Sequence, residues 1–179
     1  MYTFKTHNNI AQEGTDVLID NNFVINEENP DALLIRSFIL EDDNFNKSLK
    51  CISRAGAGVN HIPIEIATEK GIVVFNTPGG NANAVKELVI CGLLLSSRGI
   101  IQGHLFAEAI DEIDPIKVTS IVEVNKKNFK GNELKGKTIG IVGLGSIGSL
   151  LAQSLEVMGM KVIGYDPSIS VDAAWQLPK

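Results

Sequence analysis

The stretch TIGIVGLGSIGSLLAQSLEVMGMKVIGYDP, residues 138–167, decides the fold of the part of the chain that contains it. It reads as an apolar β-branched run, three glycines, an amphipathic segment, a second apolar run and then an acid. Ile139, Ile141 and Val142 mark a strand, residues 146–158 a helix, and residues 161–165 a second strand. That order is one βαβ unit with a right-handed crossover. Gly143, Gly145 and Gly148 lie between strand and helix in the spacing Gly-x-Gly-x-x-Gly. The first allows the tight turn, the second lets the backbone approach a pyrophosphate, and the third lets helix and strand pack closely. The helix starting near Ser146 offers unpaired N–H groups and the positive end of its dipole to phosphates. Asp166 closes the second strand, where its carboxylate is placed to accept both hydroxyls of a ribose. An acid there repels a 2′-phosphate, so NAD is expected rather than NADP. A dinucleotide-binding sheet holds about six strands, and this unit supplies two of them.

Upstream, short apolar runs alternate with polar, helix-like stretches. TFKT (3–6), FVI (23–25), ALLIR (32–36), CISRA (51–55) and IVVFN (72–76) are too short for helices and rich in strand formers. Between the last two, Asn60 is a candidate cap, Pro63 suits a first helical turn, and Lys70-Gly71 marks a helix end. Repeated strand–helix–strand order predicts an α/β fold with a parallel sheet covered by helices. A loop rich in glycine and asparagine then leads into a helix over residues 82–97. Its centre is apolar nearly all round, which predicts burial on more than one side, as between two domains or in a dimer interface. A further helix is expected from about 100 to 112, stopped by Asp114-Pro115. Residues 125–137 read as a linker, and they and residues 78–81 are the candidate hinge regions.

Composition narrows the functional classes. A net charge of −5, with the only basic cluster in the linker-like residues 125–137, argues against nucleic acid and anionic membranes as partners. The longest apolar run outside the glycine loop, residues 88–95, is far short of a membrane span. The N-terminus lacks the basic start and apolar segment of a signal peptide. Cys51 and Cys91 sit in apolar runs and read as two reduced core thiols of a cytoplasmic protein. No metal-ligand pattern stands out.

With RAGAGVNHIPIEIATEKGIVVFNTPGGNANAVKELV, then FKGNELKGKTIGIVGLGSIG and GYDP, the chain resembles the D-isomer-specific 2-hydroxyacid dehydrogenases. The resemblance runs from about Cys51 to Trp175. It implies a flavodoxin-like substrate domain with a parallel sheet, plus the first βαβ unit of a Rossmann NAD-binding domain. The division is expected at 1–98, with the bridging helix, and 99–179. It implies a small-molecule substrate, a phosphorylated 2-hydroxy acid, with NAD as cofactor and a homo-oligomeric assembly. Carried over residue by residue, the backbone N–H groups of Ala55 and Gly56 hold the substrate carboxylate and Arg54 is the phosphate partner. Thr77 matches a position on the nicotinamide side. Ser146 and Ile147 match the pair whose backbone meets the pyrophosphate, and Asp166 matches the ribose acid. The chain departs from the family pattern at Ser146, often arginine, at Asn60-His61-Ile62-Pro63, usually acid-bearing, and at Lys86, usually small.

Family chemistry also needs an arginine, a glutamate and a histidine that match nothing before Lys179. The histidines present are not expected to replace them. His7 is expected to be exposed, His61 to serve helix initiation and His104 to lie in a helix, none with an acid at dyad spacing. Glu87 is read as a helix-dipole residue. The expectation is an N-terminal part of a longer enzyme that does not turn over alone, with exposed apolar strand surface that invites oligomerisation. Two alternatives stay open. One is a different substrate within the family, such as glyoxylate or hydroxypyruvate; the other is an NAD-sensing corepressor of the same fold.

Overall fold

The computed structural model describes residues 1–170 together with Ala174 and Leu177, so Trp175 at the end of the resembling stretch lies outside the described residues. Packing divides the chain into two compact units, Met1–Asn81 and Ala82–Lys179.

The first unit is built on five strands: β1 (Thr3–His7), β2 (Val24–Ile25), β3 (Ala32–Ile35), β4 (Cys51–Arg54) and β5 (Val73–Phe75). They form one parallel sheet in the order β2-β1-β3-β4-β5. Every expected strand is present, each trimmed by a residue or two or extended by one. Helices α1 (Gln12–Asp20) and α2 (Ile64–Glu69) supply crossovers, with a 3-10 turn at Asp42–Asn44. The core packs Leu33, Ile35 and Ile52 against Leu40, Phe45, Ile62 and Ala67. Alternation along the strands puts those three on one face, as a period of two requires. The opposite face leaves Val73 and Phe75 about half exposed. Asn60 is not the cap of α2: the N-cap position falls three residues later, at Pro63, and the helix begins at Ile64 with no side-chain cap. Its end is as read, because Gly71 adopts φ +68°, the left-handed conformation that stops a helix.

The second unit begins with α3 (Ala82–Ser97), α4 (Ile100–Glu108) and α5 (Pro115–Asn125), followed by a 3-10 turn at Lys126–Phe129. Its two-stranded parallel sheet pairs β6 (Thr138–Val142) with β7 (Lys161–Tyr165), connected by α6 (Ser146–Val157). The core sets Leu151, Ala152 and Leu155 of α6 against Leu134, Ile141 and Met160, with Val89, Ile90 and Leu93 of α3 packed on it. Helix α3 packs with this second unit, which begins at Ala82. Within the single chain it buries one face, with Leu88 72% exposed and Leu94 and Leu95 exposed as well. One expectation changes here. Residues 125–137 are no free linker: Leu134 is in the core, Asn132 N–H bonds Ser97 O, and Gly136 N–H bonds Gly159 O.

Helix α5 was hidden behind a pair read as a breaker. Asp114 accepts a hydrogen bond from Ile116 N–H at 2.9 Å and Pro115 takes the first helical position, so Asp-Pro starts a helix here. The thiols also differ from expectation. Cys51 is half-buried, which pushes its thiol pKa up, whereas Cys91 is exposed on α3 rather than in the core. Among the described residues no helix is long and apolar enough to cross a membrane, and no group of His, Cys, Asp and Glu could hold a metal ion.

Candidate functional site

In the first unit the polar chemistry gathers at the carboxyl ends of β3, β4 and β5, where open parallel sheets place their ligands. Register pairs Ile35 of β3 with Arg54 of β4. Ala55 N–H donates to Ile35 O at 2.8 Å, and Gly56 N–H turns back to Arg54 O at 2.9 Å. Both donors expected to hold a carboxylate are therefore spent inside the protein. The next three N–H groups, of Ala57, Gly58 and Val59, meet no acceptor among the described residues, and all three residues are exposed.

Four carbonyls of the same loop, those of Arg54, Gly56, Ala57 and Gly58, are engaged. Thr77 donates twice, from Oγ1 to Arg54 O and from N–H to Gly56 O, each at 2.9 Å. Asn76 Nδ2 donates to Ala57 O at 2.7 Å. The Arg54 guanidinium folds over its own loop, with Nε donating to Arg36 O at 3.0 Å and Nη1 to Gly58 O. Arg54 is thus first a clamp, with three of its five N–H donors left for a ligand. The Asn-Thr-Pro turn after β5, read for its cofactor side, serves here as the loop's second support. Arg36, absent from the sequence-based candidates, directly follows β3, whose last residue Ile35 pairs with Arg54. Its exposed side chain has no hydrogen-bond or ion-pair partner among the described residues. The signal was available: LLIR and CISR each bring an arginine to the end of a strand-like run.

The second unit carries the glycine loop. Gly143 has φ +91° and its N–H bonds Tyr165 O at 2.8 Å, which sews the turn to the end of β7. A Cβ on Gly148 would stand 2.0 Å from Gly143 O, so only glycine lets α6 approach this closely. Gly145 is the N-cap of α6 and supplies no side-chain cap. The exposed first-turn residues Ser146 and Ile147 keep their N–H groups without acceptors among the described residues. Asp166 Oδ2 accepts from Leu144 N–H at 2.7 Å and Oδ1 from Ser168 N–H at 2.9 Å. The Leu144 bond first and the Ser168 bond second hold its carboxyl below the ordinary 3.8. Each oxygen keeps a lone pair for a further donor, so the acid braces the loop and remains open to a ligand.

The other titratable candidates are local. Lys86 Nζ donates to Asn83 Oδ1 at 2.5 Å and Asn83 Nδ2 to Glu87 Oε1 at 2.7 Å, a polar cluster on the first turns of α3. His7 is half-buried rather than exposed, stacked on Phe38 with ring centres 4.0 Å apart, and burial lowers its pKa. His104 does have an acid at helical spacing: Nε2 lies 3.5 Å from Glu108 Oε2, both side chains largely exposed on α4. His61 precedes α2 without starting it, and its buried Nδ1 has no partner among the described residues.

The sequence pattern of the D-isomer specific 2-hydroxyacid dehydrogenase catalytic domain matches residues 16–164. The chain belongs to this family. D-3-phosphoglycerate dehydrogenase of Rattus norvegicus is 40% identical over 133 residues, 73% of this chain and 22% of the relative. The enzyme of that name from Bacillus subtilis is 34% identical over 188 residues, 97% of this chain and 34% of the relative. The chain therefore spans between a fifth and about a third of the length of these curated relatives. Among solved structures, the NAD+-bound 3-phosphoglycerate dehydrogenase of Entamoeba histolytica superposes with a TM-score of 0.70 at 25% identity, covering 96% of this chain and 56% of that one. Membership of the family accounts for the five-stranded parallel unit, the βαβ unit and the glycine-rich loops of both.

Proposed function

We propose that this chain is the substrate-loop and dinucleotide-cradle portion of an NAD-dependent dehydrogenase that oxidises D-3-phosphoglycerate to 3-phosphohydroxypyruvate, the entry into serine biosynthesis. The observation that carries the reading is the braced glycine loop of the second unit, where Gly148 lacks room for a Cβ and Asp166 holds Leu144 N–H. These residues fit a dinucleotide. Ser146 and Ile147 N–H groups would hold its pyrophosphate, and Asp166 would accept from the ribose hydroxyls. When bound, NAD supplies the hydride acceptor. The relatives named D-3-phosphoglycerate dehydrogenase, 34–40% identical, support the substrate.

The first unit is proposed as the substrate-binding part. Because Ala55 and Gly56 N–H groups are occupied, the carboxylate falls to Ala57 and Gly58 N–H. The remaining donors of Arg54, with Arg36 beside it, are the proposed phosphate partners. None of His7, His61 and His104 is assigned the proton transfer at the substrate oxygen, so the 179 residues alone are expected to bind and not to turn over. A cytoplasmic homo-oligomer is proposed with this reading. Exposed Ile100, Ile101, Leu105, Ile113 and Ile116 on and between α4 and α5 support the oligomer.

Calorimetric titration of the chain with NAD and NADP, and an assay for NADH formation with D-3-phosphoglycerate, test the proposal. NAD binding in preference to NADP is expected, without NADH. Absence of NAD binding would overturn the cofactor assignment, and robust NADH production would overturn the incompleteness.

A further inference from the structure

The carboxylate assignment above leaves open what aims three exposed N–H groups outward from a loop with two glycines. In a planar trans peptide the C=O and the following N–H point in opposite directions. Holding a carbonyl from the protein side therefore turns the next N–H to the solvent side. Three successive peptides of this loop are held that way: Gly56 O by Thr77 N–H, Ala57 O by Asn76 Nδ2, and Gly58 O by Arg54 Nη1. The N–H groups they turn are those of Ala57, Gly58 and Val59, each without an acceptor among the described residues. Successive N–H groups facing one way form a concavity that favours an anion.

We propose that Asn76 is a positioning residue for the substrate carboxylate, acting through the Ala57–Gly58 peptide. Its Nδ2 sets the direction of Gly58 N–H, the middle donor of the three, without touching the ligand itself. Of the three supports, Asn76 is the one that acts through a side-chain amide, so an isosteric change reverses it. In Asn76→Asp a carboxylate oxygen replaces the donor and faces Ala57 O, which drives that peptide to turn. The inference rests on the carboxylate assignment and extends it to a residue that carries no assigned role.

The 15N-labelled 179-residue chain is titrated with D-glycerate, which has the carboxylate without the phosphate, and separately with glycerol 3-phosphate, which has the reverse. D-glycerate is expected to shift the amide signals of Ala57, Gly58 and Val59, and glycerol 3-phosphate is expected to leave them in place. In Asn76→Asp the affinity for D-glycerate is expected to fall about tenfold, the order expected for one hydrogen bond to a charged group. Equal affinity in wild type and Asn76→Asp would overturn the positioning role and leave the carboxylate assignment intact. No shift of the three amides in wild type would overturn both, as would glycerol 3-phosphate shifting them as D-glycerate does. A coupling across the hydrogen bond from Asn76 Nδ2 to the Ala57 carbonyl carbon, measured in the unliganded wild type, needs no variant; its absence would also overturn the role.

Discussion

The two glycine loops of this molecule end parallel strands in the same way and are held by opposite means. The loop after β6 is held by sterics and one acid: Gly143 takes a left-handed turn, Gly148 lets the helix close over it, and Asp166 braces Leu144. The loop after β4 is held by reach. Thr77 and Asn76, some twenty residues downstream, and the guanidinium of Arg54 fasten its carbonyls one by one. The first kind of loop depends on residues that must be glycine and is written into a local pattern. The second depends on donors arriving from a neighbouring strand end.

That contrast predicts where each loop breaks. Gly148→Ala should have the largest effect, because the neighbour it would meet is backbone and cannot swing aside. A cost of about 3 kcal/mol, the upper part of the range for overpacking, should show as a lowered melting temperature, with NAD binding lost in calorimetry. Gly143→Ala meets nothing within 4 Å. Its cost is conformational only, about 1–2 kcal/mol, so a larger loss than in Gly148→Ala would refute the steric account of the cradle. Arg54→Met removes the clamp while keeping an aliphatic stem; about 1–2 kcal/mol is expected for the two lost hydrogen bonds. Faster hydrogen exchange at the amides of residues 57–59 would report it. Thr77→Val deletes the Oγ1 bond to Arg54 O but keeps the main-chain bond to Gly56 O. It should cost only about 1 kcal/mol in denaturant unfolding.

The acid in one loop and its absence from the other also separates them by pH. Asp166 is held below its ordinary 3.8 by Leu144 and Ser168 N–H. A depressed carboxyl contributes stability that is present above the ordinary value and is lost as pH falls through the depressed one. The amides of Leu144 and Ser168 should therefore shift in NMR spectra as the pH is lowered below about 4, whereas those of Ala57–Val59 stay put. Movement of both sets together would show that the loops do not differ as described.

The strands, the glycine fingerprint and its acid were legible because each rests on a local rule. Alternation marks a strand, a missing Cβ marks close approach, and an acid after the second strand completes the local pattern. Helix α5 was misread because Asp-Pro both ends and begins helices, and only the bond from Ile116 N–H to Asp114 shows which. That the Ala55 and Gly56 N–H groups are engaged within the protein was hidden for a related reason. Sequence order tells that a loop follows β4, but not that Ala55 N–H prolongs the ladder to Ile35.

By itself, then, the sequence determined the α/β class, the parallel order of elements and the dinucleotide pattern, all of which follow from spacing along one chain. Only the tertiary structure decided which N–H groups of the 54–58 loop and its continuation are free, that Arg54 and Asn76 are fasteners, and that α3 packs with the second unit. Those are questions of which donor meets which acceptor. A hydrogen bond is settled by distance and direction between groups far apart in sequence, which residue order does not contain.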